Sequence, residues 1–198
     1  DIQRHGVLSF FNVDTAQQHR SFEVLRGRLG VLHRVFGEPW PDVTDSSLTA
    51  RVEDWLGPEL EQLASVVRTD RIDLTSALRR LLPWPEAARL DELAPERMQV
   101  PSGSALRLDW PAPEQHTNED ITPPVLAVKL QECFGWTASP TVAGGRVPIV
   151  LHLLSPARRP LAITTDLANF WQNVYPQVRA ENRGRYVKHP WPEDPLTA

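Results

Sequence analysis

Nineteen prolines in 198 residues constrain this chain more than any other feature. Proline lacks a backbone N–H and its ring clashes with the preceding turn, so it ends or kinks a helix and is kept out of central strands. With Pro39, Pro41, Pro58, Pro83, Pro85 and Pro95 dividing the first half, a run of short helices is expected there. The chain must be built from many short elements with stiff connections. Seven tryptophans fit the same plan, as large apolar plugs between elements too short to bury much surface each.

Phe22, Leu25, Leu29, Leu32 and Phe36 recur at intervals of three and four, which predicts a first helix from about Ala16. Gly27 and Gly30 weaken it by roughly 1 kcal/mol each relative to alanine, which points to a neighbour packed close against them. Gly37 and Pro39 stop it. Trp40-Pro41-Asp42 reads as a turn, and Asp45 as the cap of a second helix carrying Leu48, Val52, Trp55 and Leu56. Gly57-Pro58 is expected to end that helix and start a third, with Leu60, Leu63, Ala64 and Val67 as its stripe. Asp73 caps a fourth, over 74–82, closed by Pro83. Pro85 opens a fifth with Leu90 and Leu93, closed by Pro95. Ahead of these, residues 1–15 stay unplaced, their apolar patch 7–13 reading as a strand or as an unstructured end.

The pattern changes near residue 97. Met98 and Val100, then Pro101-Ser102-Gly103-Ser104, then Leu106 and Leu108 alternating with charges, predict a hairpin. Residues 111–124 read as a polar, proline-bearing loop. Residues 125–134 are ambiguous: Leu126 and Leu130 suit a helix ending at Gly135, and Val128 beside Ala127 suits extended chain. The apolar run 147–154 predicts a central buried strand, and 161–164 its partner. Asp166 caps a last helix with Leu167, Phe170, Trp171, Val174 and Val178 inward, which Pro176 must kink or divide. The expected fold is α+β: a helical N-terminal half, then a small, mainly antiparallel sheet built from two hairpins and flanked by helices. The expected organisation is an unplaced segment 1–15, a helical subdomain 16–96 and an α+β subdomain 97–198 with a basic C-terminal end.

The formal net charge of −4 argues against indiscriminate nucleic-acid binding by the whole surface. The charge is polarised, however. Residues 141–198 hold seven Lys and Arg against four Asp and Glu, on an otherwise acidic body. The single cysteine, Cys133, rules out an internal disulfide and a Cys-based zinc cluster, and makes an intracellular, cytoplasmic location the expectation. No apolar run approaches 18 residues, so no membrane association is expected. The first residue, Asp1, in place of methionine points to a fragment or a processed product.

No catalytic constellation emerges. Cys133 and His152 lie on different elements with no third partner, and a lone cysteine on an apolar face is usually a small core residue. Pro101-Ser102-Gly103-Ser104 lacks the Gly-Lys-Ser/Thr that a phosphate-cradling loop needs, and no dinucleotide-binding glycine fingerprint follows a strand. Asp91 with Glu92, and Glu193 with Asp194, are sequence neighbours whose side chains point apart. One constellation survives. Arg179, Arg183, Arg185, Lys188 and His189 fall within eleven residues, interleaved with Tyr186 and followed by Trp191; Arg158 and Arg159 add two cations from the preceding turn. Cations pair with phosphates and aromatic faces stack on bases, which is how single strands are commonly held. The same residues also suit a strap, with Tyr186 and Trp191 buried and Pro190, Pro192 and Pro195 lashing the terminus down.

The order of the motifs is familiar: Leu82-Pro83-Trp84, Arg89-Leu90-Asp91, Leu93-Ala94-Pro95, VPSGS at 100–104, VLAVKLQECF at 125–134, VPIVLHLLSP at 147–156 and GRYVKHPWPEDP at 184–195. From about Arg20 to its end the chain resembles the C-terminal region of HrpB-type ATP-dependent helicases, a branch of the DEAH-box family. Val187 stands where the family pattern has proline, and Trp110 where it has tyrosine. The resemblance implies a non-catalytic accessory domain that assists single-stranded RNA or DNA binding, with the motor domains of the parent helicase as its other partner. The alternative it leaves open is a scaffold that packs on the helicase core or recruits a protein. It implies no cofactor for this chain, with ATP and Mg²⁺ belonging to the parent's motor domains; no phosphate-binding loop and no Asp-Glu-x-His box occur here.

Overall fold

The computed structural model describes residues 16–65 and 72–197. The expectations for residues 7–13, for Val67 and for the Leu63 side chain lie outside what it describes. The described chain is α+β, helices first and strands after, and it forms two compact units. One contains the chain up to Ala94 together with Trp110–Thr122, the other Pro95–Asp109 with Pro123 onward.

The first unit is built on α1 (Ala16–Phe36), whose stripe Phe22, Leu25, Leu29 and Leu32 is almost wholly buried. The two glycines have the close neighbour their cost implied. A Cβ on Gly27 would sit 2.7 Å from Trp110 Cβ and 2.8 Å from the Pro111 carbonyl oxygen, and one on Gly30 3.1 Å from Pro113. The segment 110–122 therefore lies against α1, with a short 3₁₀ turn at Pro113–Gln115. Two arginines of α1 are buried, an arrangement the sequence patterns did not reveal. Arg26 donates to the Val43 carbonyl and pairs with Glu23, Asp45 and Glu114, while Arg28 reaches the Ala94 carbonyl and Asp91.

Three helix boundaries differ from expectation. Thr44 caps α2 (Asp45–Ala50), its hydroxyl accepting from the Ser47 amide, so Asp45 is the first helical residue. The break between second and third helices falls at Arg51, and α3 (Val52–Ser65) runs through Gly57 and Pro58. Helix α4 (Leu74–Arg79), capped by Asp73 as expected, ends three residues early, because the amides of Leu81 and Leu82 bond the carbonyls three residues back. Helix α5 (Trp84–Leu93) follows with Pro85 in its first turn. Trp55 plugs this unit: its ring stacks on Phe22 and its indole N–H donates to the Leu48 carbonyl at 3.0 Å.

The second unit opens with the hairpin β1 (Arg97–Gln99) and β2 (Ala105–Arg107), turned at Gly103, whose φ of 92° favours glycine. Residues 125–134 resolve as the extended alternative. Strand β3 (Val125–Lys129) alternates half-buried and buried side chains and is followed by a 3₁₀ turn, Leu130–Cys133. Leu126 and Leu130 are four apart, a spacing that two strand repeats satisfy as well as one helical turn. Neighbouring strands decide the outcome.

Residues 147–154 divide in two. Strand β5 (Val147–Pro148) pairs with β4 (Thr141–Val142), and β6 (Val150–Leu154) forms the centre of the main sheet, ordered β3-β6-β7. Strand β6 runs parallel to β3, in register from Val125↔Val150 to Lys129↔Leu154, and antiparallel to β7 (Pro160–Thr164). The sheet is thus mixed, though three of the four strand pairings in this unit are antiparallel.

Asp166 caps α6 (Leu167–Asn169) through a 3.0 Å bond from the Asn169 amide. The next turn, Phe170–Val174, is of π type, the Tyr175 amide reaching back five residues to the Phe170 carbonyl; α7 (Tyr175–Asn182) then carries Pro176 in its first turn. The wide turn places the residue without an N–H where an amide bond is least needed. It also changes the buried face: Tyr175 is 1% exposed, whereas Val174, expected inward, is 38% exposed.

Candidate nucleic-acid interface

The sheet and the last helix of the second unit position the basic residues. Beyond α7 the chain runs as an irregular strap over 183–197, held to α7 and to Gly135 and folded on itself by hydrogen bonds. Tyr175, buried on α7, donates its hydroxyl to the Pro192 carbonyl at 2.7 Å. Arg179 Nε donates to the Trp191 carbonyl at 2.8 Å, and its Nη2 lies 3.5 Å from Glu193. Trp191 Nε1 donates to the Tyr186 carbonyl at 3.2 Å, and the Gly135 amide to the Pro195 carbonyl at 2.8 Å. Tyr186 and Trp191 stack with ring centroids 6.5 Å apart. Both are half-buried. These two aromatics act as pegs, with polar edges spent on the protein and part of each ring still open to solvent.

Ser155, buried at the end of β6, joins this strap to the β6–β7 turn. Its hydroxyl oxygen accepts from the Arg159 amide at 3.1 Å and from the Tyr186 hydroxyl at 3.3 Å, and its own amide donates to the Arg159 carbonyl. The tight turn holds Arg158 at a φ of 61°, a conformation that a Cβ disfavours, and the Ser155 carbonyl accepts the Arg158 amide at 2.8 Å. Sequence reasoning missed Ser155 and Tyr175. Tyr175 was within reach, since it lies four residues beyond Trp171 on the same helical face.

Of the nine residues singled out, Arg179 serves the strap itself, and Tyr186 and Trp191 are its pegs. Arg158, Arg159, Arg183, Arg185, Lys188 and His189 are exposed. Among the described residues, none of those six side chains has a carboxylate at ion-pair distance. The Tyr186–Ser155 bond brings the 158–159 turn and the 183–189 segment to one place on the sheet end. What results is a cluster of unpaired cations around two partly open aromatic faces, suited to phosphates and bases.

Cys133 and residues 101–104 take structural places. Burial, with Glu132 nearby, pushes the Cys133 thiol up to about 12, so it is not a thiolate near neutral pH. Its Sγ lies 3.8 Å from the Lys129 carbonyl and the residue is fully buried, as a small core residue would be. Residues 101–104 form the β1–β2 turn. No group of three or more metal-ligating side chains occurs among the described residues. No helix among them is long and apolar enough to cross a membrane.

Comparison with known proteins gives consistent matches. A family model described as ATP-dependent helicase C-terminal matches residues 55–195. The chain is 47% identical over 156 residues to the ATP-dependent RNA helicase HrpB of Escherichia coli (strain K12), covering 79% of this chain and 18% of that protein. It superposes on the crystal structure of the E. coli DExH-box NTPase HrpB with a TM-score of 0.82 at 43% identity, over 98% of this chain and 22% of the other. On the crystal structure of the Escherichia coli DEAH/RHA helicase HrpB the values are 0.66 and 39%, over 96% and 22%. The chain thus spans about a fifth of the length of the relatives it matches.

Proposed function

This chain belongs to the HrpB-type ATP-dependent helicases, as their C-terminal region, and from that premise we propose that it is a non-catalytic accessory domain that holds single-stranded nucleic acid. The observation that carries the reading is the set of exposed, unpaired cations on the 158–159 turn and the 183–189 segment, gathered by the Tyr186–Ser155 bond. Arg158, Arg159, Arg183, Arg185 and Lys188 take backbone phosphates, His189 sits beside them, and Tyr186 and Trp191 offer their open faces to bases. Contacts of this kind follow the backbone and carry little sequence preference, which suits a strand threading past. ATP and Mg²⁺ then act in the motor domains of the parent enzyme, whose phosphate-binding loop has no counterpart in this chain.

The test is titration of a labelled single-stranded oligonucleotide at two salt concentrations, with the intact chain and with Arg183→Ala/Arg185→Ala/Lys188→Ala. Each lost phosphate contact should lower the salt slope by about 0.7, so the triple variant should lose about two units of slope. No binding at low salt, or the same slope in the variant, sinks the reading.

A second reading, a surface that packs on the helicase core, rests on Trp84. Its side chain stands 81% exposed at the start of α5, between two exposed prolines, and tryptophan is a common interface anchor. Trp84→Ala should weaken association with the separately expressed motor domains; equal association in both forms counts against it.

A further inference from the structure

The hairpin β1–β2 and the sheet β3-β6-β7 share one open face. Asp109 and Val125 exchange backbone hydrogen bonds of 2.8 and 2.9 Å, so the chain just beyond β2 lies antiparallel beside β3. Residues directly opposite on paired strands have their side chains on the same side, and every second residue returns to it. The registers place Arg97 opposite Arg107, Ala127 opposite His152, and His152 opposite Ile163. Asp109 and Val125, opposite each other, stand two residues from Arg107 and Ala127 and so join these pairs into one row. The intervening residues form the core side, where Leu108, Leu126, Val128, Leu151 and Leu153 are buried. On the side of the row Arg97, Arg107 and Ile163 are exposed, and Ala127, Lys129 and His152 are half-buried.

The charge on this face is one-sided. Arg97 and Arg107 stand directly opposite each other, an arrangement of like charges that costs stability. Arg97 Nη1 donates to the Ala105 carbonyl at 3.0 Å, which leaves further N–H groups of its fork unspent. Lys129 pairs in register with Leu154, the residue before Ser155, and so lies at the same sheet end as the 158–159 turn. Among the described residues, none of Arg97, Arg107 and Lys129 has a carboxylate at ion-pair distance. The alternation puts Asp109 on this side too, at the far end of β3 from Lys129. Glu132, just past β3, accepts from the Ser102 hydroxyl at 3.2 Å. Four strand spacings separate β1 from β7, roughly 19 Å. The three cations thus cross the sheet from a point beside the cluster on the 158–159 turn.

We propose that this open sheet face is a second track for single-stranded nucleic acid, whose phosphates pass from the 158–159 turn to Lys129 and on to Arg107 and Arg97. That the ligand is nucleic acid rests on the function proposed above; the sheet adds contacts outside the strap. A phosphodiester brings the negative charge that relieves the Arg97–Arg107 repulsion, and guanidinium forks take its oxygens two at a time. Ala127, His152 and Ile163 form a floor without the wide rings that stack bases, so the contacts there are to the backbone.

The test titrates a labelled oligothymidylate across a salt series with three proteins. These are the intact chain, the strap variant Arg183→Ala/Arg185→Ala/Lys188→Ala and the sheet variant Arg97→Ala/Arg107→Ala/Lys129→Ala. Three lost phosphate contacts should lower the salt slope of the sheet variant by about two units. A sheet variant that keeps the slope of the intact chain overturns the track, and the strap reading survives if the strap variant still loses slope. Loss in the sheet variant alone keeps the track and overturns the strap reading. No binding by the intact chain removes both. The intact chain also supplies a readout that no substitution can confound. The imidazole resonances of His152 should shift saturably with oligonucleotide, while those of His33 in the helical unit stay in place. An unmoved His152 overturns the track; if separately expressed motor domains move it instead, the face belongs to a protein partner.

Discussion

The two units use their arginines in opposite ways. In the helical unit, Arg26 and Arg28 are buried and each holds carbonyls and carboxylates from distant parts of the chain. In the sheet unit, the corresponding fastening of the strap falls mainly to neutral groups, the Tyr175 hydroxyl and the Trp191 and Gly135 N–H donors, with Arg179 as the one cation that joins in. The cations at 158–159 and 183–189 are left exposed. A buried guanidinium whose donors are occupied cannot recognise anything else, whereas one left in water beside an aromatic face can. The exposed guanidinium groups of the proposed interface therefore belong to the unit whose strap is tied mainly by neutral groups.

The comparison predicts unequal responses to substitution, which hydrogen exchange can read unit by unit. Arg26→Ala has the largest effect. It leaves Glu23, Asp45 and Glu114 facing one another without their cation, and should cost about 3 kcal/mol, the lower end for a broken buried pair because the carboxylates are partly exposed. The loss of protection should fall in residues 16–65 and 110–122. Tyr175→Phe comes next: one neutral hydrogen bond to the Pro192 carbonyl is lost, about 1 kcal/mol, and only the strap should exchange faster. If Tyr175→Phe proved the costlier of the two, the contrast between charged and neutral fastening would fail. Smallest is the stability effect of Arg183→Ala/Arg185→Ala/Lys188→Ala, within about 0.5 kcal/mol, as for surface positions generally. A large destabilisation would mean those cations are structural after all.

The same contrast appears against pH. Hydrogen bonds from Ser76 hold the Asp73 carboxyl below its ordinary value, and Arg80 does the same for Glu59; both lie in the helical unit. Depressed carboxyls stabilise above their unfolded values and lose that contribution as pH falls through the folded ones, so this unit should weaken below about pH 4. Burial pushes the Tyr175 hydroxyl up to about 12, Arg179 opposing. A raised group contributes below its unfolded value near 10 and loses that contribution as pH rises to about 12, so the strap should loosen first in alkali. Exchange rates followed from each end of the pH scale would test the order.

Helices in this chain were legible because their signals are local. The α1 stripe, the Asp73 and Asp166 caps and the proline stops all act within a turn of the residues that carry them. One stretch stayed open because a distant partner decides it. Residues 125–134 have a four-residue spacing that either structure accepts, and the parallel pairing to β6 settles it from 25 residues away. Pro58 looked like a helix boundary because its cost is local, yet α3 continues through it. Of the site, the cations were readable as a run of charge and the pegs as aromatics among prolines. Ser155 was not, since nothing in its immediate sequence tells a turn serine from one that joins two basic segments.

The π-turn at Phe170–Val174 has a consequence for how relatives should be compared. Such a turn holds one residue more than an α-turn, so it behaves as an insertion absorbed in place, leaving Leu167 and Val178 buried on either side. Pro176 is tolerated because that extra residue precedes it. The two form a matched pair: a homologue with a one-residue gap in 170–174 should also lack the proline, and one that keeps the proline should keep the length. An alignment that slides the gap into α7 would rotate every later side chain by about 100° and place the wrong residues against the strap.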